Sequence, residues 1–117
     1  MDLRECYDAA GADYEEAVHR FKNERRLGRF LRIFLRDQSF NRLCRAMEEA
    51  DYEEAFGLVH NLKGIAMSLG LTALTEACIG LTENLGAGAA DEDTDWCYKR
   101  VREQYQRTAK AVMDYLK

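Results

Sequence analysis

No proline occurs in the 117 residues, and that absence constrains the fold more than any residue that is present. Proline is the usual helix breaker, because it lacks a backbone donor and clashes with the preceding turn. Without it, apolar residues can recur at helical spacing along most of the chain. No alternating pattern of strand length competes with them, and there is no internal repeat. Leu27, Phe30, Leu31, Phe34 and Leu35 mark one apolar stripe, with Arg25, Arg29, Arg32 and Arg36 on another face of the same helix. Asp37 or Ser39 is expected to cap the next helix, whose apolar face is Phe40, Leu43, Cys44 and Met47.

Asp51, with Glu54 three residues later, reads as a capping box. Gly70 reads as the terminator of that helix, which is then about 18 residues or about 27 Å long. Leu71, Leu74, Ala77, Cys78, Leu81 and Leu85 mark a return helix, and so short a connection predicts an antiparallel hairpin. The run from Gly86 to Asp93 is the clear loop. Thr94 or Asp95 is expected to cap a last helix with Cys97, Val101, Tyr105, Thr108, Val112 and Leu116 on one side. Residues 1–23 read as one or two short helices broken near Gly11, with Leu3, Tyr7, Tyr14 and Val18 as a modest stripe. The expected fold is all-α and a single domain over residues 1–117. Residues 24–117 form an antiparallel, up-down-up-down four-helix bundle, and residues 1–23 a short N-terminal helical extension.

Composition narrows the partners. The chain is 47% hydrophobic and 32% charged, which suits a compact globular domain. It has no run of about 18 apolar residues that would span a membrane. Its first residues lack the basic-then-apolar order of a signal peptide. A cytoplasmic, monomeric protein is the expectation, and the initial methionine points to a stand-alone module. A net charge of −4 argues against nucleic acid. Charge is unevenly spread, however: Arg20 to Arg36 holds seven basic residues and one acid, Glu24. Whether the Arg25–Arg36 stripe is a solvated face or a binding surface is open in the sequence. Cys6, Cys44, Cys78 and Cys97 are widely spaced, so reduced, mostly buried thiols are expected in place of a disulfide or metal framework.

One stretch carries chemistry. Residues 60–70 read His-Asn-Leu-Lys-Gly-Ile-Ala-Met-Ser-Leu-Gly. On a helix, Ala55, Leu58, Leu62, Ile65 and Leu69 fall on the side opposite His60 and form the core face. Lys63 lies about 60° to one side of His60 and Gly64 about 40° to the other. Phe56, Gly57 and Met67 complete the outward face. An exposed imidazole, ordinarily titrating near about 6.5, is partly neutral and nucleophilic at physiological pH. Lys63 can pair with an anion placed on it. Gly64 costs a helix interior about 1 kcal/mol, which suggests close approach of another backbone, from a partner or a neighbouring helix. His19 shows no comparable setting and is assigned no role.

His60-x-Leu62-Lys63-Gly64, followed by Leu69-Gly70, resembles the signature of histidine-containing phosphotransfer (HPt) domains, and the likeness covers roughly residues 24–116. The resemblance implies a phosphocarrier of a two-component phosphorelay. Its histidine would accept a phosphoryl group from the phospho-aspartate of a response-regulator receiver domain, or from a histidine kinase, and pass it to a response regulator. By position, His60 would be the phosphoacceptor and Lys63 would neutralise the phosphoryl oxygens. Gly64 would admit the receiver's loops, and Phe56, Gly57, Asn61 and Met67 would belong to the docking patch. No nucleotide-binding or autokinase motif is present, so the chain is expected to be a phosphotransfer intermediate and not an enzyme in its own right. No carboxylate cluster adjoins His60, so no metal or cofactor is expected on this chain, and Mg2+ should come with the partner receiver. The alternative is a helical adaptor that binds receiver or kinase domains without being phosphorylated. A metal or cofactor bundle using His60, His19 and cysteines fits poorly with an outward-facing His60.

Overall fold

The structure is a computed structural model describing residues 1–87 and 90–117, so the part of the expected loop at Gly88 and Ala89 lies outside the described residues. Every regular element among them is a helix: α1 (Leu3–Ala10), α2 (Tyr14–Phe21), α3 (Glu24–Arg36), α4 (Ser39–Glu48), α5 (Tyr52–Ser68), α6 (Thr72–Gly86) and α7 (Thr94–Leu116). Helix α5 packs between α4 and α6, α6 against α7, and α7 against α1 and α3. No helix is long and apolar enough to cross a membrane among the described residues.

The opening residues do more than extend a bundle. Leu3, Cys6, Tyr7 and Ala10 recur every three to four residues, and all four are buried in the common core. Asp2 caps α1 with a full capping box: its side chain accepts from Glu5 N–H, and the Glu5 side chain accepts from Asp2 N–H. Tyr7 then donates its hydroxyl to the carbonyl of Leu69 at 2.7 Å, joining α1 to the far end of α5.

Several expected caps resolve differently in three dimensions. Helix α4 starts at Ser39, and the Asp37 side chain accepts its N–H at 2.8 Å. Asp51 does cap α5 through Glu54 N–H, but the Glu54 carboxylate turns away to pair with Arg42, so the box is half made. At α7 neither Thr94 nor Asp95 caps. Asp93 holds the cap position without a side-chain bond, and Thr94 donates to Asn84 Oδ1 at 2.7 Å, tying the start of α7 to α6. On α3, Leu27, Leu31 and Phe34 are buried as expected, whereas Phe30 stays 44% exposed and Ile33 53%. The four cysteines are free, Cys6 and Cys78 buried and Cys44 and Cys97 half-buried. Burial pushes the Cys6 thiol up to about 11 and Cys78 to about 12, so neither supplies a thiolate nucleophile at neutral pH.

The turn between α4 and α5 carries local strain. Ala50 sits at φ +55°, while its N–H reaches Met47 O and the Asp51 N–H reaches Ala46 O, the paired bonds of a glycine-type helix stop. A side chain in that left-handed region is disfavoured. Ala50→Gly should therefore stabilise the fold by about 1 kcal/mol, read as a higher urea midpoint at unchanged slope. A lower midpoint would show that the turn is not strained.

Candidate functional site

Helix α5 is held at both ends. Asp51 satisfies its first turn. At its other end Gly70, at φ +70°, donates to Met67 O at 3.1 Å, and Leu71 N–H donates to Ala66 O at 2.9 Å. Glycine is needed there, because a left-handed residue must follow the last turn, and a Cβ would come within 3.0 Å of Asp13 O. The Arg20 guanidinium, from α2, donates to both Met67 O and Ser68 O at 3.0 Å. A cation on the last carbonyls of a helix satisfies orphan acceptors and opposes the negative end of its dipole. Nothing in the apolar periodicity pointed to this role for Arg20.

Between those anchors the inner face of α5 is buried through Ala55, Leu58, Val59, Leu62 and Ala66. Each of the leucines and the valine, buried in full, contributes about 1.5–3 kcal/mol, so the helix is a firm platform. Its outer face presents His60, Phe56, Gly57, Asn61, Gly64 and Met67 as exposed residues, with Lys63 half-buried. All seven residues singled out from the sequence thus lie on one helix surface or its margins.

The two sides of His60 differ. Toward α6 stands a wall. The Phe56 ring lies nearly parallel to the imidazole, at 20° and 6.3 Å between centroids. Phe56 also reaches the end of α6, where a Cβ on Gly86 would come 3.1 Å from its ring. On the helical projection Lys63 falls on the Phe56 side of His60, and it is half-buried. Toward α4 the surface is bare. A Cβ on Gly57 or Gly64 would meet nothing within 4 Å, so no neighbouring helix requires either glycine. Asn61 closes this side by donating to Ser39 Oγ on α4 at 2.8 Å.

The imidazole of His60 makes no side-chain hydrogen bond or ion pair among the described residues. The arrangement offers one exposed imidazole, one cation a helix turn away, an aromatic flank and open space over Gly57 and Gly64. No group of three or more His, Cys, Asp or Glu residues that could hold a metal ion occurs among the described residues.

A further apolar surface lies beside the C-terminal end of α5, on the side of Ile65 and Leu69 and not on that of His60. Phe30 and Ile33 of α3, with Phe21, Phe34, Ile65 and Leu69, line a pocket of about 390 Å³ beside the C-terminal end of α5. Phe21 and Phe30 pack at 4.9 Å between ring centroids. The stripe Leu27-Phe30-Leu31-Phe34 is wider than the area its neighbours cover, which a one-dimensional pattern does not show.

A family model, that of the Hpt domain, matches residues 29–111. No curated protein and no solved structure matches the chain.

Proposed function

We propose, for a chain that belongs to the Hpt domain family and so to the phosphotransfer modules of two-component signalling, that His60 is the phosphoacceptor of a phosphorelay carrier. The carrying observation is the local geometry: an exposed His60 at the middle of a fixed helix, with open space over Gly64. A neutral imidazole nitrogen attacks the phosphorus of a receiver's aspartyl phosphate. The bond from phosphorus to the aspartate oxygen breaks, and the carboxylate leaves with the electron pair. The other ring nitrogen keeps its proton until solvent or the next acceptor removes it. Such transfer proceeds through a loose transition state, so alignment and charge neutralisation matter more than acid–base machinery. Lys63 supplies one positive charge beside the phosphoryl oxygens. The aspartate and its Mg2+ belong to the partner. In the reverse step phosphohistidine gives the group to a second receiver, so the chain carries the phosphoryl group and does not itself draw it from a nucleotide.

Docking of a receiver, or of a hybrid kinase's receiver, would use Phe56, Gly57, Asn61, Gly64 and Met67. An apolar patch around one reactive group is the usual form of a transient interface. Among the described residues, 24–117 hold five helices, α3–α7, and not the four expected; we take α4–α7 as the antiparallel four-helix bundle, and the protein as a monomer acting in the cytoplasm. The competing reading is an adaptor that binds receivers unphosphorylated. Incubation with a phosphorylated receiver and Mg2+ separates the two. Acid-labile, base-stable phosphate on this chain is expected; none with several cognate receivers would favour the adaptor.

Two variants refine the site. Gly64→Gln should leave the fold intact and stabilise α5 by up to about 1 kcal/mol, since the position is open. It should nevertheless slow transfer by at least about ten-fold, because the side chain fills the open space toward α4. Transfer at the normal rate would remove Gly64 from the interface. Lys63→Ala should slow transfer by about ten-fold with little change in receiver affinity, the loss expected for one charge contact strengthened in the transition state. Unchanged kinetics would take Lys63 out of the site.

A further inference from the structure

The cleft that the arginine stripe lines shares no residue with α5, the helix of His60. Around α3, the Phe30–Ile33 side meets the C-terminal end of α5, whereas Arg25, Gly28, Arg29 and Arg32 line a separate cleft with Tyr115 and Lys117 of α7. This cleft is open, about 490 Å³ in volume, and no acidic side chain lines it. Arg25, Arg29 and Arg32 are exposed residues at steps of four and three. Among the described residues none of them has an ion pair, while α1, α2, α4 and α7 each have at least one basic residue engaged by an acid or an aromatic ring. Nor do they cap α7: none donates to its last carbonyls, as Arg20 does at α5. Three like charges on two turns repel one another, which costs stability unless an anion completes the cluster. Gly28 shapes the floor, since a Cβ there would lie 3.2 Å from the Tyr115 hydroxyl.

We infer that this cleft between α3 and the end of α7 is a second docking site, for an acidic segment of a partner protein. Arg25 to Arg32 spans about 10 Å along the helix, which suits carboxylates on successive turns of a facing segment. Guanidinium forks pair bidentately with carboxylates. The cleft is open and offers no enclosed pocket to grip a compact phosphate compound. A net charge of −4 opposes the approach of nucleic acid, whose binding rests on neutralising many phosphates. That the partner is a protein rests on the phosphorelay reading. Its consequence is that a partner held here leaves His60 free, so it can stay tethered while receivers exchange at His60.

The test uses the full chain and a fluorescently labelled hexaglutamate peptide, with binding read by anisotropy at low ionic strength. Saturable binding is expected. It should weaken by at least about ten-fold in the triple variant Arg25→Ala/Arg29→Ala/Arg32→Ala, and equally in the matching Gln triple, which keeps part of the stems. A charge-matched control, Lys99→Ala/Arg100→Ala/Arg102→Ala on α7, should leave binding unchanged. Absence of binding, or equal loss in the control, overturns the proposal. Tighter binding of a short DNA duplex through the same three arginines overturns it in favour of nucleic acid. His60 labelling by phosphoramidate, which needs no docking, should be the same in all of these variants. Loss of that labelling in the unmodified chain would count against the carrier reading alone and leave the cleft result standing.

Discussion

His60→Gln should abolish phosphohistidine on this chain outright while leaving its stability within about 0.5 kcal/mol of the parent, because the residue is exposed and makes no bond that the fold uses. Glutamine keeps the polarity and approximate reach of histidine but has no nucleophilic nitrogen. Both phosphoramidate, a small donor, and a phosphorylated receiver with Mg2+ should fail to label the variant. Phosphohistidine is lost in acid and persists in base, whereas an aspartyl phosphate is lost in base, so the two are told apart on one gel. The chain contains two histidines. Label that survives in His60→Gln and disappears in His19→Gln would move the acceptor to α2 and remove the reading given to α5. Receiver binding retained by His60→Gln, with transfer lost, would separate docking from chemistry.

Tyr7→Ala should cost about 3–5 kcal/mol, a large part of the 5–15 kcal/mol that holds a domain of this kind. The ring is fully buried. It meets Tyr14 edge-on at 6.2 Å between centroids. Its hydroxyl donates to Leu69 O. Removing the ring leaves a cavity between α1 and the bundle and an unpaired carbonyl at the end of α5. Tyr7→Phe keeps the packing and loses only the hydrogen bond, so about 1 kcal/mol is expected. Urea unfolding measures both, and a loss below about 1 kcal/mol for the alanine variant would return residues 1–10 to the status of an appendage. The effect should also reach the site. Tyr7, the Asp13 N–H on Gly70 O and the Arg20 guanidinium together hold the last turn of α5, the turn that carries Met67.

Much of α5 was legible in one dimension. The spacing of Leu58, Leu62, Ile65 and Leu69 placed His60 outward, and Gly70 stopped the helix where a left-handed residue stands. Capping was read less well. Glu54 had two possible partners, the Asp51 N–H and Arg42, and only packing of α4 on α5 brought Arg42 near enough to win. The same holds for Thr94, which bonds to Asn84 across to α6. Phe30 was misplaced for a different reason: helical periodicity gives the direction of an apolar stripe but not how much of it neighbours cover. The weak stripe of α1 was undervalued because an eight-residue helix has little periodicity to display, although Leu3, Cys6, Tyr7 and Ala10 all pack inward.

The sequence by itself determined that the chain is helical, that His60 lies on the outward face of α5, and which residues share that face. These follow from local rules, since the 100° step of a helix and the backbone freedom of glycine do not depend on distant residues. Only the tertiary structure decided what surrounds that face: a Phe56 and Lys63 wall on the α6 side, a bare glycine surface on the α4 side, and an Arg20 clamp from α2. It also set Arg25, Arg29 and Arg32 of the arginine stripe in a cleft with the end of α7. Those outcomes depend on which helices pack together, and helices far apart in the chain are brought together by burial of apolar surface, which is non-directional and leaves no local signal in the sequence.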